Sequence, residues 1–326
     1  MKYRKFSNTG WNVSEIGLGC WGIGGNWDDV TDEEAVKVLK KSLDKGINFF
    51  DTSDVYGDGR SEKFISKIIK STSEKIFVAT KTGQRIKPYI PEGYNFKTIE
   101  QFINRSLKNL GVEQIDLLQL HCPPKELCSK RELYEMMDEF TKIGKIAHYG
   151  VSVFNLSEAM SAIKFPNVKS IQIVFNIFRQ RPAEIFFKEA KKKEIAIIAR
   201  GALASGLLTG TINKDTIFNS NDHRNYNFKG KSFDVGDTFS GVNFKKGLEA
   251  VERLKKLLPD NFNLIDLALK WVLMHDEVSV VIPGATNTLQ VEMNTKASKL
   301  ENISKIMPDI QSIYENLIKP EVHSKW

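Results

Sequence analysis

The chain has 326 residues, 41% hydrophobic and 27% charged, which excludes a disordered polymer and leaves room for one large domain or two small ones. Its net charge of +7 comes from scattered Lys and Arg, and the densest run, Lys191-Lys192-Lys193, falls where a helix should end and cations complement the helix dipole, so a nucleic-acid partner is not expected. Cys20, Cys122 and Cys128 are too few and too irregularly spaced for a disulfide framework or a zinc site, no run approaches the ~18 apolar residues of a membrane span, and MKYRKFSNTGW lacks the apolar segment of a secretory signal. The expectation is a soluble cytoplasmic protein without a metal site.

Tyr3–Phe6, a turn at Asn8-Thr9-Gly10 and Trp11–Val13 read as a small hairpin plugging one end of a barrel. Short apolar or β-branched runs then begin near Ile16, Asn48, Ile76, Ile115, His148, Ile171, Ile195 and Val278. All but the last interval suit one strand plus one crossover helix, and eight such runs are what a (β/α)8 barrel needs. The long last interval leaves room for a loop and an extra helix, and residues 1–326 read as a single barrel domain with extra C-terminal helices.

The helices carry their own punctuation. Thr31-Asp32-Glu33-Glu34 is a capping box ahead of Ala35, Val36, Leu39 and Leu43, and Gly46 stops that helix; Asn155 with Glu158 repeats the device. A doubly wound sheet competes, because Gly17-Leu18-Gly19-Cys20-Trp21-Gly22 matches the dinucleotide fingerprint. That fingerprint must open a helix at its third glycine, whereas Gly24, Gly25 and Asn26 follow here and the helix waits until Thr31. A glycine loop topping the first barrel strand is the better reading.

Catalytic groups of a parallel barrel stand at the C-terminal ends of its strands. The second strand ends at Asp51, with Tyr56 and Gly57 just beyond; the third ends at Lys81 and the fourth at His121. Burying Asp51 and Lys81 is costly unless they pair. Paired, they hold a cation beside a phenol, and a nearby ammonium is expected to lower the Tyr56 pKa and make it a proton donor and acceptor. His121 would hold the substrate oxygen. With no acyl-transfer nucleophile and no metal cluster, the set suits proton transfer to a carbonyl coupled to hydride delivery from a nicotinamide cofactor.

At these residues the chain strongly resembles the aldo-keto reductase superfamily, over nearly its whole length. Gly46-Ile47-Asn48-Phe49-Phe50-Asp51-Thr52-Ser53-Asp54-Val55-Tyr56-Gly57 is similar to the family's first signature, Val78-Ala79-Thr80-Lys81 to its lysine strand and Leu117-Leu118-Gln119-Leu120-His121 to its histidine strand. The resemblance implies a catalytic tetrad of Asp51, Tyr56, Lys81 and His121, and a cofactor lying extended across the barrel mouth. It assigns Trp21 and Gly22 after the first strand, and Ser152 and Gln172 to the nicotinamide amide. It assigns Ala199 to Gly210, with Arg200, Gly201, Ala202, Leu203, Ser205, Gly206 and Leu207, to the pyrophosphate loop, and Gly284, Ala285, Thr286, Gln290 and Asn294 to the adenosine site at the N-terminus of the last helix.

Three departures stand out from the family pattern. Val153 replaces an Asn that many members carry after Ser152. Arg200 replaces an aromatic residue, with a planar guanidinium able to stack in its place; with Phe178-Arg179-Gln180-Arg181-Pro182 it resembles a bacterial and archaeal branch. Thr286 and Asn287 stand where NADP-preferring members often place Lys or Arg. NADP(H) is still the expected cofactor, with NAD(H) possible. A small carbonyl compound is the expected substrate, and oligomeric state is left open. The competing function is a cofactor-binding, redox-sensing regulator, as in the superfamily's potassium-channel β subunits. Cys122 is expected to be inert packing. Trp27 and the stretch 213–242 are expected to line the substrate pocket, with shielding of the barrel the alternative for Trp27.

Overall fold

The computed structural model describes residues 1–25, 30–220 and 222–326. A two-stranded antiparallel hairpin, β1 (Tyr3–Phe6) and β2 (Trp11–Ser14), precedes eight parallel strands: β3 (Leu18–Gly19), β4 (Phe49–Asp51), β5 (Phe77–Thr82), β6 (Ile115–His121), β7 (Ile146–Ser152), β8 (Val168–Val174), β9 (Ala196–Arg200) and β10 (Val278–Val281). These pair strictly in chain order from β3 to β10. Parallel bridges Ile16–Val281 and Gly19–Gly284 then join the two ends, so the sheet closes into a (β/α)8 barrel rather than an open doubly wound sheet.

Closure depends on Gly19. A Cβ there would stand 2.8 Å from the Ile282 carbonyl oxygen, closer than any real side chain tolerates. The fingerprint-like glycines therefore serve strand approach. Among the described residues a 3-10 turn, Gly22–Gly24, follows them, and the first long helix starts at Asp32.

The hairpin plugs the end of the barrel away from the strand C-termini. Phe6 packs 5.4 Å (centroid to centroid) from Phe49 and Trp11 4.6 Å from Phe77, the first residues of β4 and β5. Val13, Leu117, Ile198 and Val280 complete that inner cluster. A larger cluster lies between the strands and the surrounding helices: α1 (Asp32–Asp44), α2 (Arg60–Ile69), α3 (Phe96–Leu110), α4 (Arg131–Lys142), α5 (Leu156–Ala162) and α6 (Phe186–Lys192). Both expected capping boxes form, at Thr31–Glu34 and Asn155–Glu158.

Between β9 and β10 come the short helix α7 (His223–Tyr226), α8 (Phe244–Lys255) and α9 (Leu264–Leu273). After β10 come α10 (Thr288–Lys296), α11 (Met307–Ile313) and α12 (Lys319–Val322), the last two joined by a π-turn at Tyr314–Ile318. Among the described residues no helix is long and apolar enough to cross a membrane.

The strand starts differ modestly from the apolar runs. β7 and β8 begin at Ile146 and Val168, earlier than His148 and Ile171, because Ala147, His148 and Lys169 join the ladder while staying half-exposed. Burial marks the middle of a strand better than its end. Trp27 lies outside the described residues.

Candidate active site

The strand ends bring the expected charges together at one mouth. Asp51 ends β4, Lys81 is the penultimate residue of β5, and both are buried. Lys81 Nζ donates to the Asp51 carboxylate, as burial of the two charges demands, and to the Thr52 carbonyl at 2.9 Å. It also stands 3.3 Å from the Tyr56 hydroxyl.

Asp51 has partners from the far side of the barrel as well. Its second carboxylate oxygen accepts from Gln119 Nε2 on β6 at 3.0 Å and from Gln172 Nε2 on β8 at 2.6 Å. The register explains this convergence: Lys81 pairs with Gln119, and His121, Ser152 and Gln172 lie side by side on successive strands. Ser152 Oγ is 3.5 Å from Gln172 Oε1.

Tyr56 is held by a glycine contact. Gly57 has φ +57°, and a Cβ on it would stand 2.0 Å from the Gly24 carbonyl oxygen. The loop after β3 is therefore pressed directly onto the Tyr56–Gly57 segment, which requires glycine at 57 and leaves a tight fit for any side chain at 24. The Trp21 ring lies near-parallel to Tyr56 at 6.2 Å, and the His121 ring meets Tyr56 edge-on at 6.0 Å.

The electrostatics correct one expectation. Burial pushes the Tyr56 phenol up, and Lys81 offsets this only in part, so the net shift is upward rather than downward. Burial is the main cause, and the Asp51 carboxylate beside the same ammonium adds to it by opposing the pull of Lys81. Burial also works against the Lys81 charge, but Asp51 and Tyr56 outweigh it and hold the ammonium above its usual range. Burial, aided by Lys81 and Arg200, holds His121 neutral, well below its usual value.

Around the rest of the mouth, Arg200 ends β9 and forms an ion pair with Asp237 from the 213–242 stretch, while its second terminal nitrogen donates to the Val153 carbonyl at 3.2 Å. The Arg200 Nε is buried with no hydrogen-bond partner. Beyond it, Gly201 has φ +65°, and Ala204, Ser205 and Gly206 have φ of 47°, 54° and 95°. Such left-handed runs curl the main chain into a concave, anion-accepting turn. Ala202 and Leu207 are buried, so only their main chain serves the loop. Ser205 Oγ donates to the Asp237 carbonyl at 3.0 Å, and Asn176 donates to the Gly201 carbonyl at 2.7 Å and Ser240 Oγ at 2.8 Å. Asp237 and Ser240 thus bring the 213–242 stretch to the mouth at the C-terminal ends of the strands.

The residues expected at the adenosine side form a separate group. Asn287 caps α10, Gln290 accepts from the Thr286 N–H at 2.7 Å, and Asn294 donates to the Gly284 carbonyl at 3.1 Å. Ala285 is buried. Gly22 ties this group to the mouth, since a Cβ there would lie 3.1 Å from the Thr286 methyl. Cys122 is buried, and burial pushes its thiol up to about 12, as inert packing requires.

A charged Arg200 with a buried, unpartnered Nε beside a concave main-chain turn fits a pyrophosphate. The clustered Ser152 and Gln172 side chains fit a carboxamide. Sequence reasoning missed Gln119, Asp237, Ser53 and Asp54. Gln119 alone carried a signal: a polar residue interrupting the apolar run of β6.

Residues 15–315 match the model of the Aldo/keto reductase family. The aldo-keto reductase YhdN of Bacillus subtilis is 31% identical over 99% of this chain and 96% of its own. A probable voltage-gated potassium channel subunit beta of Arabidopsis thaliana is 28% identical over 91% of each. Among solved structures, a glycerol dehydrogenase from Gluconobacter oxydans superposes with a TM-score of 0.81 at 27% identity, covering 97% of this chain and 96% of that one. The chain belongs to the aldo/keto reductase family and is an NAD(P)H-dependent oxidoreductase.

Proposed function

We propose that this protein reduces an aldehyde or ketone to the alcohol with NADP(H), and that Tyr56 gives the carbonyl oxygen its proton. The observation that carries the reading is Lys81 Nζ set between the Asp51 carboxylate and the Tyr56 hydroxyl. The nicotinamide cofactor, when bound, supplies the hydride that goes to the carbonyl carbon.

Tyr56 keeps its proton at neutral pH because burial raises its pKa, so it meets the substrate as an acid. When that proton passes to the carbonyl oxygen, the charge left on the phenol faces the Lys81 ammonium. Asp51 orients the ammonium, and Gln119 and Gln172 orient Asp51. Neutral His121, edge-on to Tyr56, offers a ring nitrogen to the same oxygen. Arg200 and the Gly201–Leu207 turn would hold the pyrophosphate, Ser152 and Gln172 the carboxamide, and Trp21 and Gly22 the mouth side of the nicotinamide. Gly284, Ala285, Thr286, Gln290 and Asn294 would hold the adenosine.

Replacing Tyr56 by Phe tests the acid role. The expected result is a fall of about 10²–10⁴-fold in kcat with cofactor affinity kept; unchanged reduction would reject the role. Paired titrations with NADPH and NADH test the cofactor preference, and tighter NADH binding would reverse it. Likeness to a probable channel β subunit favours one second reading, a regulator that binds the cofactor as a redox signal. Tight NADPH binding without turnover of any member of a broad aldehyde panel would favour that reading.

A further inference from the structure

Ser53 lies between two groups that both need its single hydroxyl hydrogen. Its Oγ is 3.2 Å from His121 Nδ1 and 3.3 Å from Asp54 Oδ1, and it receives the Val55 N–H at 3.4 Å. Ser53 and Asp54 are both fully buried. A hydroxyl has one hydrogen and two lone pairs, and Val55 occupies one of those pairs. When Ser53 donates to Asp54, His121 must bring its own proton on Nδ1. When Ser53 donates to His121, Asp54 must bring the proton.

We infer that Asp54, acting through Ser53, decides which ring nitrogen of His121 carries the proton, and thereby whether the site offers a donor to a carbonyl or an acceptor to an alcohol. With Asp54 protonated, the chain runs Asp54 to Ser53 to Nδ1, and the ring proton sits on Nε2. With Asp54 ionised, Ser53 donates to Asp54, Nδ1 carries the ring proton and Nε2 presents a lone pair. The first state holds three protons along the chain and the second two; the difference is one proton exchanged with solvent. Nε2 makes no hydrogen bond among the described residues. Asp54 and Ser53 are positioning residues here, and the consequence for turnover rests on the function proposed above.

The surroundings permit the switch. Asp54 Oδ2 faces Arg85 Nε from the loop after β5 at 3.1 Å, Arg105 of α3 reaches the Asp54 carbonyl, and buried Glu62 of α2 repels its charge. Burial and Glu62 push the Asp54 carboxyl up to about 7 against the pull of Arg85. His121 faces Lys81, Arg200 and Tyr56, and with burial the two cations keep its ring neutral across that range, so the ring changes tautomer rather than charge.

Nitrogen-15 NMR of histidine-labelled protein, without substrate, reads the tautomer directly among the 5 histidines. Between pH of about 5.5 and 8.5, His121 is expected to change from Nε2–H to Nδ1–H. Asp54→Asn should hold Nε2–H throughout, because Arg85 takes the amide oxygen and turns the NH2 toward Ser53. Ser53→Ala, which leaves the Asp54–Arg85 pair intact, should abolish the pH response. In turnover, Asp54→Asn should lose the decline of reduction kcat/KM above pH of about 7 and slow alcohol oxidation about tenfold. A His121 tautomer that stays fixed in the wild type, or that titrates alike in both variants, overturns the inference. A tautomer change together with unimpaired Tyr56→Phe reduction would instead overturn the proposed acid role alone.

Discussion

The strand-end cluster and the later-loop cluster of the barrel mouth are built in opposite ways. Asp51, Lys81, Gln119 and Gln172 sit in the sheet, buried and bonded to one another across the barrel. Arg200, Asp237 and Ser205 join a strand end to long connections, and Thr286, Asn287 and Gln290 bond to one another near the surface. Under the proposed function, proton transfer would use groups bonded within the sheet, whereas cofactor binding would use groups that join separate chain segments.

The contrast is broken most strongly at Lys81. Lys81→Met strips a buried carboxylate of its cation and is expected to cost about 3–5 kcal/mol of stability as well as activity; denaturant unfolding measures it. A variant with wild-type stability would mean that the strand-end cluster is not under the constraint described. Arg200→Ala removes a charged partner from the other cluster and should weaken cofactor binding by about 1.5–3 kcal/mol, with a smaller loss of stability than Lys81→Met because the Asp237 pair it breaks is partly exposed. Isothermal titration and a melting curve together separate the two effects.

Thr286→Arg sharpens the comparison at the adenosine side. It should shift preference toward NADPH over NADH by about tenfold, as a 2′-phosphate gains a guanidinium partner, with kcat kept. The smallest effect is a pH dependence. His121 is held neutral in the fold, so the unfolded chain binds more protons once pH falls below the ordinary histidine value of 6.5. The stability it contributes is present above that pH and lost below it. His121→Asn should flatten that part of the unfolding profile, and an unchanged slope would count against a buried neutral ring.

Much of this architecture was legible from local pattern. The eight apolar runs, the hairpin and both capping boxes depend on residues a few positions apart, and each formed close to where it was read, with the earlier starts of β7 and β8 the main differences. So did the placing of Asp51, Lys81 and His121 at strand ends, because strand length and alternation fix where a run stops. The direction of the Tyr56 shift was not legible, since it depends on how completely Asp51 cancels Lys81 and how much water is excluded.

What the sequence determined by itself is the set of elements and the charges at their ends. The tertiary structure decided which of them meet. Gln172 reaches Asp51 across 121 residues of chain, and Asp237 reaches Arg200 across 37. Ser53 stands 68 positions from the His121 nitrogen it faces. Such contacts depend on register, closure of β3 onto β10 and the path of a long loop. None of these leaves a periodic trace, because each is fixed by packing between segments rather than by the preference of any one of them.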